Sequence, residues 1–143
     1  MFYIFSDLTA RLKAVCHLFS DEGELGHDYA EYKGMGQAAV NHLLETKNGQ
    51  VRGAFFRYDI GSIDVVWGKV SNSTEHTGYG IAHILDKHGK RAVDAIEGII
   101  KNGTVRRASN NRLKIVDRKG VLILSETFLG EKRHVIITSF VKQ

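Results

Sequence analysis

The sequence predicts an α+β domain in which N-terminal helices pack on a mainly antiparallel sheet of about four to five strands. Three observations predict it. Apolar residues recur at helical spacing early in the chain and again between residues 79 and 101. Aromatic and β-branched residues concentrate at 51–58 and 63–66. The C-terminal stretch from 113 to 141 alternates with period two, broken by short glycine-containing turns. Helices and strands are grouped rather than strictly alternating, which favours an antiparallel sheet covered on one face.

The elements follow in order. Ser6-Asp7 caps a first helix carrying Leu8, Leu12, Val15, Cys16 and Phe19. An acidic, glycine-containing loop runs from 21 to 33. A second helix over 35–47 places Ala39, Leu43 and Thr46 on one side and stops at Asn48-Gly49. A hairpin over 51–58 and 63–66 turns through Asp59-Ile60-Gly61-Ser62. The polar loop 71–77 leads to a helix over 79–88. A further helix over 91–101 carries Ala92, Val93, Ile96, Ile99 and Ile100 and ends at Asn102-Gly103. Strands over 113–117, 121–128 and 134–141 form a meander. Residues 1–34 read as an N-terminal helix and acidic loop, and 35–143 as the main domain, compact as a whole.

Composition narrows the classes. At 43% hydrophobic and 25% charged the chain is globular. Its longest apolar runs fall short of the roughly 18 residues a membrane helix needs, so no membrane span is expected. No charged n-region precedes an apolar core, so no simple secretory signal is expected, and a fragment delivered by a larger carrier would look the same. One cysteine, Cys16, allows no internal disulfide and suggests no zinc site. There is no proline, so turns rest on Gly, Asn, Asp and Ser. Net charge is +4, with Lys101, Arg106, Arg107, Arg112, Lys114, Arg118 and Lys119 concentrated in the C-terminal half. That is compatible with a polyanionic partner.

Alternation along the meander gathers Arg112, Lys114, Ser125 or Thr127, His134 and Thr138 on one sheet face. Cations and apolar groups on an open sheet suit single-stranded nucleic acid; a solvated outer face reads the same. A register slip of one residue would reassign every side chain.

The stretch GYGIAHILDKHG, residues 78–89, carries two histidines. Helical projection puts His88 on the apolar stripe with Ile81, Ile84 and Leu85, and His83 beside Lys87 on another face. His88 then reads as a core or capping histidine, and His83 as either an exposed residue or a general base kept neutral near pH 7 by Lys87. Spacing of five does not suit a metal pair, so no metal site is expected. Gly78-Tyr79-Gly80 reads as a weak phosphate loop or, more simply, a flexible approach to the helix.

Taken together, GAFFRYDIGSIDVVWG (53–68), GYGIAHILDKHG and HVIITSF (134–140) resemble a phage-associated ribonuclease-toxin family of the superfamily grouping barnase, EndoU, the tRNA-cleaving colicins and RelE. The resemblance covers about residues 35–141. It implies helices packed on an antiparallel sheet, and metal-independent, cofactor-free RNA cleavage through attack of a ribose 2′-OH on the adjacent phosphate. It also implies site residues at the helical H…KH and terminal TSF positions, here His83, His88, Thr138 and Ser139.

The expected roles are these. His83 transfers a proton, and Thr138 contacts phosphate, with Ser139 on the opposite parity. Lys69 stabilises the phosphorane, and His134 supplies a second proton-transfer group if His88 is buried. Trp67 stacks a base or packs in the core. Lys87, Arg106, Arg107, Arg112 and Lys114 are RNA contacts. Asp64 orients a site group or faces solvent. For His83 to meet Thr138, the helix must reach the rim of the sheet. The expected partners are RNA, with tRNA among the candidates, and an acidic immunity or antitoxin protein. The expected place of action is the cytoplasm, of a target cell if a larger carrier delivers the domain. The competing expectation is a non-catalytic RNA-binding or phage- or toxin-associated interaction module.

Overall fold

The computed structural model describes residues 24–75 and 77–142. The first helix expected around residues 8–19, with Cys16, lies outside the described residues. Helix α1 spans Gln37–Thr46 and buries Ala39, Val40 and Leu43. It ends where Lys47 takes the left-handed conformation and donates its N–H to Leu43 O, just before Asn48-Gly49. The expected hairpin follows as β1 (Gln50–Arg57) and β2 (Gly61–Val66). The stretch read as a polar loop is a second, small hairpin, β3 (Lys69–Asn72) and β4 (Thr77–Tyr79).

Helix α2 spans Gly80–His88. The next expected helix is interrupted at Ala95, giving α3 (Lys90–Asp94) and α4 (Ile96–Asn102). The open carbonyls at its end receive a cation: Arg57 Nη1 donates to Ile100 O and Gly103 O. The meander is present as β6 (Arg112–Val116), β7 (Gly120–Ser125) and β10 (His134–Val141). A short hairpin of β8 (Thr127–Phe128) and β9 (Glu131–Lys132) lies between the last two. An unexpected strand, β5 (Thr104–Ser109), pairs with β6. Its sequence TVRRAS has one half-buried side chain and otherwise exposed ones. A charged, solvent-facing edge strand has little apolar alternation to betray it, and charge there discourages further strand addition.

The main sheet has six strands in the order β1-β2-β10-β7-β6-β5. All neighbours are antiparallel except β2 and β10, which are parallel. The inner face presents Val51, Phe55, Ile63, Val65, Ile115, Leu122, Leu124 and Ile136 to the helices. Ile81, Ile84, Val93, Ile96 and Ile99 fill the other side of this core. Each fully buried Ile or Leu contributes about 1.5–3 kcal/mol of transfer free energy. Among the described residues no helix is long and apolar enough to cross a membrane.

Candidate active site and nucleic-acid interface

Helix α2 owes its place to three glycines. Gly68, Gly78 and Gly80 all have positive φ, and a Cβ on any of them would meet backbone atoms of the crossing chain. Their bare backbones let the end of β2 and the start of β3 press against β4 and the start of α2. The Ala82 N–H, at the N-terminal turn, donates to Trp67 O. The GYG stretch is therefore a close crossing of chains, and this amide is already taken by a carbonyl.

β2 and β10 are paired only at His134↔Ile63 and Val135↔Asp64. Beyond those positions the strands part, and α2 packs against both. The helix thus stands beside β10 at the split in the sheet, which meets the geometric condition for α2 histidines to approach the end of β10.

His88 is partly buried, as its place on the apolar stripe implied, but His83 is the more buried of the two, against its reading as an exposed residue. His83 is 6% exposed, whereas His88 is half-buried. A helical projection assumes one packed face. Helix α2 packs on the core through Ile81 and Ile84, and also on β10 and on the β3–β4 hairpin. The His83 side is covered as a consequence, while His88 comes at the last turn. The two imidazoles lie edge to face with centroids 6.3 Å apart. The His88 ring is in turn 5.6 Å from the Phe140 ring, tilted by 37°. Lys87 is exposed.

A bulge in β10 between Ile136 and Thr138 sets what else faces this cluster. It puts Ile136 opposite Leu124 on the inner face and Thr138 opposite Ile123 on the outer one. The simple alternation put Ile136, Thr138 and His134 on one face; the extra residue separates Thr138 from the other two. Paired residues share a face, so one row runs Thr138–Ile123–Lys114–Arg106 across β10, β7, β6 and β5. The next runs Phe140–Val121–Val116–Thr104. Lys114 and Arg106 therefore share the outer face with Thr138, across strand spacings of about 4.8 Å each. Phe140 is 36% exposed there. The Thr138 hydroxyl oxygen is buried and has no hydrogen-bond partner among the described residues. Ser139 lies opposite Leu122 on the inner face and is fully buried, as its parity requires.

The other expected residues divide. Arg112 has the parity of Lys114, so it shares that outer face as expected, and it donates to Asn111 O. Arg107 has the parity of Leu113 and forms a two-pronged ion pair with Glu126 at 2.8 Å, so it does not join the Lys114–Arg106 row. That pairing holds the Glu126 carboxyl below its ordinary range. Lys69 is exposed at the start of β3, opposite Tyr79. Trp67 is half-buried, packs against the core and lines a cleft of 390 Å³ with Gly68 and Tyr79. Burial raises the Tyr79 hydroxyl pKa, with a smaller push from Glu24.

His134 lines a second cleft, of 590 Å³, whose walls include none of His83, His88, Thr138 and Phe140. Its floor is an ion pair between Asp64, an expected orienting residue, and Arg133, which the sequence does not single out. Arg133 Nε donates to Asp64 Oδ2 at 2.7 Å, and Arg133 Nη2 to Gln50 Oε1 at 2.7 Å. The other Asp64 oxygen accepts the Gly53 N–H at 2.6 Å. Asp64 is 5% exposed, so it is a buried clamp between β1, β2 and the start of β10, not a solvent-facing strand residue. An acid between Ile63 and Val65 was the available signal; its partner, 69 positions away, was not legible.

Residues 54–143 match the family described as phage-Barnase-EndoU-ColicinE5/D-RelE like nuclease1. The chain belongs to this nuclease family. The matched span takes in the second half of β1 and everything after it: α2 with both histidines, the bulged strand and the outer face. No curated protein and no solved structure matches the chain. In this nuclease fold, the structure brings together His83, His88, Phe140 and, on the same outer face as Phe140, Thr138, Lys114 and Arg106.

Proposed function

We propose that the protein is a metal-independent endoribonuclease that cleaves RNA, tRNA among its candidate substrates, by 2′-OH transesterification. The observation that carries this reading is the cluster at the split in the sheet. Two imidazoles lie 6.3 Å apart, and one of them leads to an exposed phenyl ring on a face shared with Lys114 and Arg106. Cations hold phosphates, and the ring offers a base a stacking surface. One imidazole removes the ribose 2′-OH proton, the 2′-oxygen bonds to phosphorus, and the bond to the 5′-oxygen breaks. A protonated imidazole gives its proton to that 5′-oxygen. The products are a 2′,3′-cyclic phosphate and a 5′-hydroxyl.

His88, half-buried beside Phe140, is the imidazole better placed to meet substrate. His83 works behind it, and Thr138 stands on the same outer face as the phosphate-holding cations, its hydroxyl oxygen buried. The separate cleft around His134 argues against His134 as the second proton-transfer group. An acidic immunity or antitoxin protein fits the same cationic face by charge complementarity. Action in the cytoplasm, of a target cell after carriage by a larger protein, accords with this reading.

The test is incubation of the folded, inhibitor-free domain with total tRNA and with a generic RNA in excess EDTA, followed by mapping of the ends. Discrete products ending in 2′,3′-cyclic phosphate are expected. Intact RNA, or cleavage that EDTA abolishes, overturns the proposal.

A further inference from the structure

The cleft around Arg133 is unused by the chemistry above, and its charges do not balance. Four fixed cations and three carboxylates line it. All three carboxylates are occupied by arginines: Asp64 by Arg133, Glu131 by Arg52, and Glu126 by Arg107 from outside the cleft. Lys33 and Lys132 form no ion pair among the described residues, and both are exposed. They face a space of 590 Å³, with His134 in the wall. The arginine pairs neutralise the three carboxylates, and the two lysines leave the cleft positive.

Phe56, which lines a separate cleft with Gly34 and Tyr58, stands one strand over from it. Phe56 pairs with Ser62 across β1 and β2, and Ser62 lines the cleft around Arg133. Phe56 therefore stands on the same sheet face, and it is 69% exposed. Phe55, one residue earlier, is in the core. A phenyl group that far out of a sheet contributes little to folding. Beside unmatched cations it has the composition of a single-strand binding surface, with stacking for a base and positive charge for the backbone.

We propose that this cleft is a second nucleic-acid subsite, in which Lys33 and Lys132 hold a backbone phosphate and Phe56 stacks a base of the same single strand. It rests on the ribonuclease reading for the identity of the strand. It lies apart from the His88–Phe140 cluster, so it binds substrate away from the scissile bond and favours longer strands over short ones. Lys33 and Phe56 come from β1 and the segment before it. Lys132 comes from β9, whose neighbouring residue Glu131 pairs with Arg52 of β1.

The experiment uses the whole chain and a fluorescent single-stranded oligonucleotide with 2′-O-methyl riboses, which cannot form the attacking 2′-oxyanion. Binding is measured by anisotropy over a salt series. In the double variant Lys33→Ala/Lys132→Ala, the affinity falls and the slope of log affinity against log salt drops by about 0.7 for each phosphate no longer neutralised. Phe56→Ala weakens binding at least about fivefold, and Phe56→Tyr restores it. All three side chains are exposed, so these variants keep the fold. Affinity and salt slope unchanged in the lysine and Phe56→Ala variants overturn the subsite, even if the wild type cleaves RNA. Losses as expected, with no cleavage of ordinary RNA by the wild type, support the subsite and overturn the catalytic reading instead.

Discussion

The His88 ring lies 5.6 Å from the Phe140 ring, and this contact joins the last turn of α2 to the end of the last strand. It brings an imidazole from the middle of the sequence to a sheet face lined by cations from β5 and β6. The contact exists because β2 and β10 are paired at two positions only and α2 stands where they part.

Replacing His88 by Ala is expected to lower the rate of RNA cleavage by about 10²–10⁴-fold, the usual worth of a positioned proton-transfer group. The thermal melt should move little, since His88 is half-buried. His83→Ala should lower both cleavage and stability, because that side chain is 6% exposed. Single-turnover cleavage together with a melt followed by circular dichroism separates the two; wild-type cleavage by folded His88→Ala removes it from the mechanism.

Lys114→Ala and Arg106→Ala should each weaken RNA binding and reduce the salt slope by about 0.7, the share of one neutralised phosphate on a single strand. Arg107→Ala should change the slope less, since Glu126 already holds that guanidinium. Equal effects from all three would mean that Arg107 leaves Glu126 for the strand. Affinity measured at several salt concentrations decides it.

Asp64→Ala should destabilise the fold by about 3–5 kcal/mol in urea denaturation, because it leaves Arg133 buried without its countercharge. Exchanging both residues for apolar ones of similar volume should cost less. A loss below about 1 kcal/mol in the single variant would show that Arg133 escapes to water.

Gly61 and Gly80 both have positive φ, yet their surroundings differ. A Cβ on Gly61 meets nothing within 4 Å, so Gly61→Ala should cost about 1–2 kcal/mol for the left-handed backbone alone. A Cβ on Gly80 would sit 2.7 Å from Trp67 O and 2.9 Å from Val66 O. Gly80→Ala should therefore cost more and displace α2 from the β2 end. Comparison of the two melting temperatures measures the crossing's contribution.

Arg52 holds the Glu131 carboxyl below its ordinary value of 4.5, chiefly by their hydrogen bonds. A carboxyl depressed in the folded state stabilises above its unfolded pKa, and that stability is lost as pH falls through the lowered value. The melting temperature of the wild type should exceed that of Glu131→Gln above about pH 5, and the gap should close on acidification. With both side chains largely exposed, the plateau is about 0–1 kcal/mol. A gap that widens in acid would mean that the pair is not formed.

Some of this was legible in the sequence, because local patterns carry it. Periodicity marked α1, α2, β1, β2 and the meander, and Asn48-Gly49 marked where α1 stops. The motifs at 53–68, 78–89 and 134–140 pointed to the nuclease family that the chain belongs to. Tertiary structure decided the rest. β5 was hidden because an exposed basic edge strand lacks apolar alternation. The burial of His83 was missed because a projection sees one helix, whereas α2 is packed from several sides. His134 was separated from Thr138 by one bulged residue that no alternation rule registers. The Asp64–Arg133 pair joins positions 69 apart, and only folding brings such charges to 2.7 Å. Local chemistry fixes which residues can take part in an interaction; the chain crossing and strand register fix which of them meet.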